Sequence, residues 1–184
     1  MALFSNNIKI TDFQLTSTEP KYSNRSWTGT QIQRSTGIQY YQLQFTMNFH
    51  QKDSAEYERF IATYGQGRAF SMDLGHLSKY TGSQTTAVSS TAVSAIGTYQ
   101  VKTTNNGLEV GTLIQFQNHK KIYRVIANTG TVLSLFPNLR QQVGLNENIR
   151  YQNIEGQFVL DVDNNHQLNI KTSMNITLKA TEDI

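Results

Sequence analysis

Between Gln39 and Gly65 the sequence changes period, and that change limits what the chain can become. Tyr41, Leu43, Phe45, Met47 and Phe49 put an apolar side chain at every second position, with Gln42, Gln44, Thr46 and Asn48 between them. Such alternation predicts a strand with one apolar face and one amide-rich face. Tyr57, Phe60, Ile61 and Tyr64 then recur at helical spacing. An amphipathic helix is expected over 53–64, with Asp53 or Ser54 as N-cap and Gly65 as its stop. A strand and a helix with matching apolar faces can nucleate a domain by packing together.

The flanking segments read as further strands. Ile8, Ile10, Phe13 and Leu15 suggest one, and Trp27 to Ile32 a second. A polar connection over 16–26 and a turn at Gln33–Gly37 are expected around them. Phe70, Met72 and Leu74 mark a short strand after the helix. Near the C-terminus, Phe158, Leu160 and Val162 alternate, and so do Leu168, Ile170, Thr172, Met174, Ile176 and Leu178. Long strands prefer long partners, so this closing strand should pair with the one at 40–49.

Between these halves the chain changes character. Residues 76–98 are rich in Ser, Thr, Ala and Gly, and 99–150 carry short apolar runs separated by turn residues. Asn106-Gly107 reads as a tight hairpin, and Asn128-Thr129-Gly130 and Asn118-His119-Lys120 as further turns. Short, regularly spaced strands make a small barrel or compact sheet. We therefore expect a core domain built from 1–75 and 152–184, interrupted by a β-rich insertion over 76–151.

Composition narrows the function. Asn, Gln, Ser and Thr exceed a third of the chain, while charged residues are 16%. A chain this poor in charge needs ordered, hydrogen-bonded backbone, which favours a β-rich fold. There is no cysteine, which excludes disulfides and thiolate ligands. The net charge of +3 is weak for a dedicated nucleic-acid binder, so specific nucleic-acid binding is not expected. The first residues lack a basic and then apolar leader, and no apolar run suits a bilayer, so a soluble protein made in the cytoplasm, without a membrane partner, is expected.

Chemistry is sparse. His50, His76, His119 and His166 stand in separate turns or strand ends, read as exposed, and no nucleophile has a matching base. Asp161-Val-Asp-Asn-Asn165 begins like a calcium loop but has His166 where glycine is needed and Thr172 in place of the bidentate Glu. Glu56 and Glu58 read as a solvated helix face. No catalytic residue, metal ligand or cofactor is expected. His119, Lys120, Lys121 and Arg124 form a local basic cluster that could contact phosphate or merely blunt a sheet edge. The amide- and hydroxyl-rich strand faces offer subunit contacts at Gln42, Gln44, Thr46, Asn175 and Thr177.

Taken in order, several motifs resemble those of a known group. Trp27-Thr-Gly29 and the turn Arg34–Gly37 lead into Tyr40-Tyr-Gln-Leu-Gln-Phe45, followed by the helix 55–64 and Gly67-Arg-Ala-Phe70. Later come Gly111-Thr-Leu-Ile114, Lys121-Ile-Tyr-Arg-Val125 and Leu133-Ser-Leu-Phe-Pro-Asn-Leu-Arg140. This order resembles tail-tip or baseplate proteins of tailed bacteriophages, of the distal-tail and minor-tail type. The family's Gly-Asp step before Leu113 is absent here, which leaves that turn open. The resemblance implies a mainly β fold: a β-sandwich with one flanking α-helix and an inserted small β-barrel-like domain. It also implies a virion component that forms a ring with itself, often of six subunits. Its neighbours would be tail-tube and tail-tip hub proteins, with a receptor-binding protein reached through the insertion. Two rival readings remain from the residues. One is a carbohydrate-binding module that stacks sugars on Tyr99, Tyr123 and Tyr151. The other is a weak nucleic-acid binder using 119–124.

Overall fold

A computed structural model of the chain describes residues 3–165 and 172–184. The protein is mainly β, with one α-helix and curled sheets among the described residues. Its contacts divide it into two compact units. One comprises the residues up to Thr16, Tyr41–Leu77 and Glu155–Asp183; the other comprises Ser17–Tyr40 and Ser78–Ile154. The segment 17–40, placed with the core domain by its position in the sequence, thus falls with the insertion.

The first unit is built on a five-stranded sheet in the order β1 (Lys9–Thr18), β4 (Tyr40–His50), β13 (Ser173–Glu182), β12 (Glu155–Leu160), β5 (Phe70–Asp73). The long alternating strand is β4, and its partner is the closing strand, antiparallel with Thr46 opposite Thr177 and Phe49 opposite Met174. The expected start of that closing strand, Leu168 and Ile170, lies outside the described residues, as does His166. Strand alternation puts Tyr41, Leu43, Phe45, Met47 and Phe49 on one face with Met174, Ile176, Leu178 and Ala180, all buried.

Helix α1 (Ser54–Tyr64) closes that face. Tyr57 stacks on Phe49 with ring centroids 5.5 Å apart, and Phe60 meets Phe70 edge-on at 5.3 Å. Rings offset or edge-on like these add to the area they bury. The helix has Asp53 at its N-cap but no side-chain capping bond, so its first turn is held by the Tyr57 ring contact and by the bonds of Glu56 to Ser5. At the other end the Gly65 N–H bonds to the Ile61 carbonyl at 2.7 Å.

The second unit holds a six-stranded sheet: β6 (Val88–Ser89), β11 (Asn148–Arg150), β8 (Leu113–Phe116), β9 (Tyr123–Asn128), β10 (Val132–Phe136), β7 (Gln100–Lys102). Its two ends meet. A bridge joins Ser90 to Thr103, and the Thr91 and Thr104 N–H groups donate to Lys102 and Ser89 carbonyls at 2.9 Å. The sheet therefore closes into a small barrel around Val101, Ile114, Phe116, Tyr123, Val125, Leu133 and Ile149. Closure removes the free edges that a short-stranded sheet would otherwise expose.

Two local expectations fail. Trp27 to Ile32 is no strand: β2 (Lys21–Arg25) and β3 (Gln31–Ser35) pair as a hairpin whose turn is 26–30. The polar connection and the supposed turn at 33–37 are the strands. Asn106-Gly107 is no two-residue hairpin either, because β7 pairs with β10. The buried Asn106 amide bonds instead to Thr103 Oγ1 at 2.8 Å and the Thr104 carbonyl at 3.0 Å, and accepts from Asn128 Nδ2 at 2.9 Å. No helix among the described residues is long and apolar enough to cross a membrane.

Candidate subunit interface

The face of β4 and β13 opposite the core is paved with polar side chains. Gln42, Gln44, Thr46 and Asn48 stand across from Thr181, Lys179, Thr177 and Asn175. Directly opposed residues share a face, so the expected contact residues Gln42, Gln44, Thr46, Asn175 and Thr177 come together on one surface. Thr46 and Thr177 share a hydrogen bond between hydroxyls at 2.9 Å, and Asn48 Nδ2 donates to Thr11 Oγ1 at 2.6 Å. Thr181 Oγ1 donates to Asp161 at 2.7 Å. These bonds fix rotamers in advance, so a partner meeting the face would immobilise fewer side chains. Gln42, Asn175, Thr177 and Lys179 are exposed, whereas Thr46 is down to 9% exposure between its neighbours.

No sequence pattern marks the hairpin of β2 and β3 as a site. All ten of its strand residues are exposed. One face carries Tyr22, Asn24, Ile32 and Arg34 in opposed pairs, and the other carries Lys21, Ser23, Arg25, Gln31, Gln33 and Ser35. At the turn the Gly29 N–H bonds to the Ser26 carbonyl at 2.9 Å, with Gly29 at φ +82. That conformation suits glycine and projects Trp27, at 107% exposure, from the tip.

The basic cluster is not a surface patch, because two of its four members are interior. Lys121, 3% exposed, donates from Nζ to Gln39 Oε1 at 2.8 Å. His119 is 5% exposed, contrary to the expectation of an exposed turn histidine. Its Nδ1 lies 3.2 Å from the Tyr123 hydroxyl and its Nε2 3.3 Å from the Gln142 carbonyl. A carbonyl can only accept, so Nε2 carries the proton, and Nδ1 accepts from Tyr123. The Tyr123 oxygen in turn accepts from the Arg140 N–H at 3.1 Å. The Glu147 carboxylate is 4.0 Å from Nε2. Burial pushes the His119 imidazole below its usual value, against the opposing effects of the Gln142 carbonyl and Glu147. Lys120 is exposed and Arg124 half-buried.

Other expected groups have structural employment. Tyr123 is fully buried, Tyr151 packs edge-on against Tyr80 with its hydroxyl on the Thr86 carbonyl at 2.9 Å, and Tyr99 alone of the three is exposed. They form no stacking platform around Tyr123. Glu56 is not simply solvated: its two oxygens accept from the Ser5 N–H and hydroxyl at 2.6 Å each. Glu109 accepts from the Tyr80 hydroxyl and the Ser83 N–H, which holds its carboxyl below the usual range. Asp163 lies 3.5 Å from Lys179 Nζ. Among the described residues no group of three or more His, Asp or Glu is placed to hold a metal. No family model matches the chain, and no curated protein sequence matches it.

Proposed function

We propose that the protein is a structural virion component of a tailed bacteriophage, a tail-tip or baseplate ring subunit linking the tail tube to the host-recognition apparatus. The supporting observation is the hydroxyl and amide face of β4 and β13, on which Gln42, Asn175 and Thr177 are exposed, on a sheet whose other face is closed by its own core. Such a face stays hydrated in the free chain and still offers many hydrogen bonds to an arriving neighbour. Its partners are other copies in a ring, a tail tube and a tail-tip hub, with the barrel available to a receptor-binding protein.

Light scattering on the eluting protein, together with electron microscopy, tests this reading. A ring of defined mass is expected, and the same chain should appear in peptide maps of purified virions. Introducing arginine at Asn175 should weaken the assembly without lowering the melting temperature, since that side chain is exposed. A stable monomer that is absent from virions would remove the proposal.

A further inference from the structure

We infer that the tip of the β2–β3 hairpin, led by Trp27 and Arg25, docks into a groove on the five-stranded sheet of a second copy of this chain. The inference rests on the ring reading and names the surfaces that hold the ring.

The groove lies between the two edges of the curled sheet. Its volume is 630 Å³, within the range of about 300–1,000 Å³ that suits a bound group. Ile8 and Ile10 line it at the start of β1, Met72 and Asp73 on β5, and Glu155 at the start of β12. Asp73 and Glu155 are directly opposed across the β5–β12 pair and both exposed. Asp73 Oδ1 accepts from the Gly75 N–H at 2.7 Å and Glu155 Oε2 from the Ser71 hydroxyl at 3.4 Å, and a cation is favoured near these two like charges. Lys9 is the single cation among the lining residues. The groove thus mixes apolar side chains with Ser5, Asn6 and Ser71 and has two carboxylates at its rim.

The hairpin has the converse character. Between Lys21 and Ser35 the chain carries Lys21, Arg25 and Arg34 and no carboxylate, although Glu19 lies 3.7 Å from Lys21. Tyr22 at 71%, Ile32 at 63% and Trp27 at 107% exposure leave large apolar area in water. Interface energy concentrates in Trp, Tyr and Arg, and the polar β4–β13 face carries no Trp or Arg. That face supplies complementarity, and the hairpin supplies the anchor. Each copy then has one donor tip and one acceptor groove, a head-to-tail contact that closes into a ring when the rotation permits.

Sedimentation velocity of the full chain across concentration tests the inference. Trp27→Ala and Arg25→Glu each weaken self-association about tenfold or more. Combining Arg25→Glu with Asp73→Arg in one chain restores it. A photo-crosslinker at position 27, in mixed isotope-labelled and unlabelled protein, captures peptides containing Ile8 or Met72 of the other copy. Thermal midpoints of the Trp27→Ala and Arg25→Glu variants stay at the wild-type value, because those side chains are exposed. Unchanged association in both single variants, with crosslinks elsewhere, overturns the inference and leaves the ring reading standing. A wild-type chain monomeric at every concentration also overturns it, and virion content then decides the ring reading separately.

Discussion

His119 shows how a residue type can mislead when its surroundings are unknown. In the sequence it heads a basic run after an asparagine, which reads as a solvated turn. In the fold its ring is sealed against Phe116 and Tyr123, with centroids 4.9 and 5.9 Å away, and both nitrogens are committed. Protonating Nδ1 would set two donors against each other, because the Tyr123 hydroxyl already donates there. The folded form therefore resists a proton that the unfolded chain accepts near pH 6.5. By linkage, the unfolded state binds more protons just below that pH, so stability is full above about 6.5 and falls as pH drops towards the depressed folded value. One proton allows a slope of at most about 1.4 kcal/mol per pH unit. Urea melts between pH 7.5 and 5.5 should show the decline, and His119→Gln should flatten it. A wild-type midpoint independent of pH across that range would contradict the assignment. Lys121 and Asn106 carry the same lesson, since nothing in their local sequence shows that the barrel will bury them.

At the scale of elements, legibility followed burial. Strand β4 and helix α1 were read within a residue or two because each has one buried face, and burial imposes its period on the sequence. The barrel strands were readable for the same reason, as with Leu133 and Leu135 inside β10. Strands β2 and β3 were missed because both of their faces meet water, so no alternation marks them, and Trp27 and Ile32 looked like the strand instead. The short N-terminal stretch before β1 left no pattern either, yet it is tied to α1. Phe4 packs on Phe60 at 4.9 Å, and Ser5 makes two bonds to Glu56 in the helix's first turn, where a carboxylate also suits the dipole. Glu56→Ala should cost about 1 kcal/mol, given the solvent around the bonds. Hydrogen exchange should locate the loss, with the Ser5 and Ile8 amides losing protection while those of β4 keep theirs. Loss of protection spread evenly over β4 would show that the clamp belongs to the global core.

For the whole molecule, the informative point is where the chain leaves the five-stranded sheet and returns. Strand β5 ends at Asp73 and β12 begins at Glu155, and these two residues are opposed partners in one antiparallel pair. The long excursion over 78–154 thus departs and comes back at the same end of what would otherwise be an ordinary hairpin. All five strands of that sheet and α1 lie outside the excursion, and so does their aromatic core of Phe45, Phe49, Tyr57, Phe60, Phe70 and Phe158. Segment 17–40 differs, because its anchors lie within the excursion: Gln39 holds Lys121, and the Gly37 carbonyl accepts from Arg140 at 3.2 Å. Replacing 78–154 by a short turn should therefore leave a folded remainder in which the β4 and β13 amides stay protected from exchange. The amides at 37–39 should exchange faster, having lost both anchors. If β4 and β13 instead exchange as an unfolded chain does, the sheet needs the barrel for its stability, and the two units share one cooperative core.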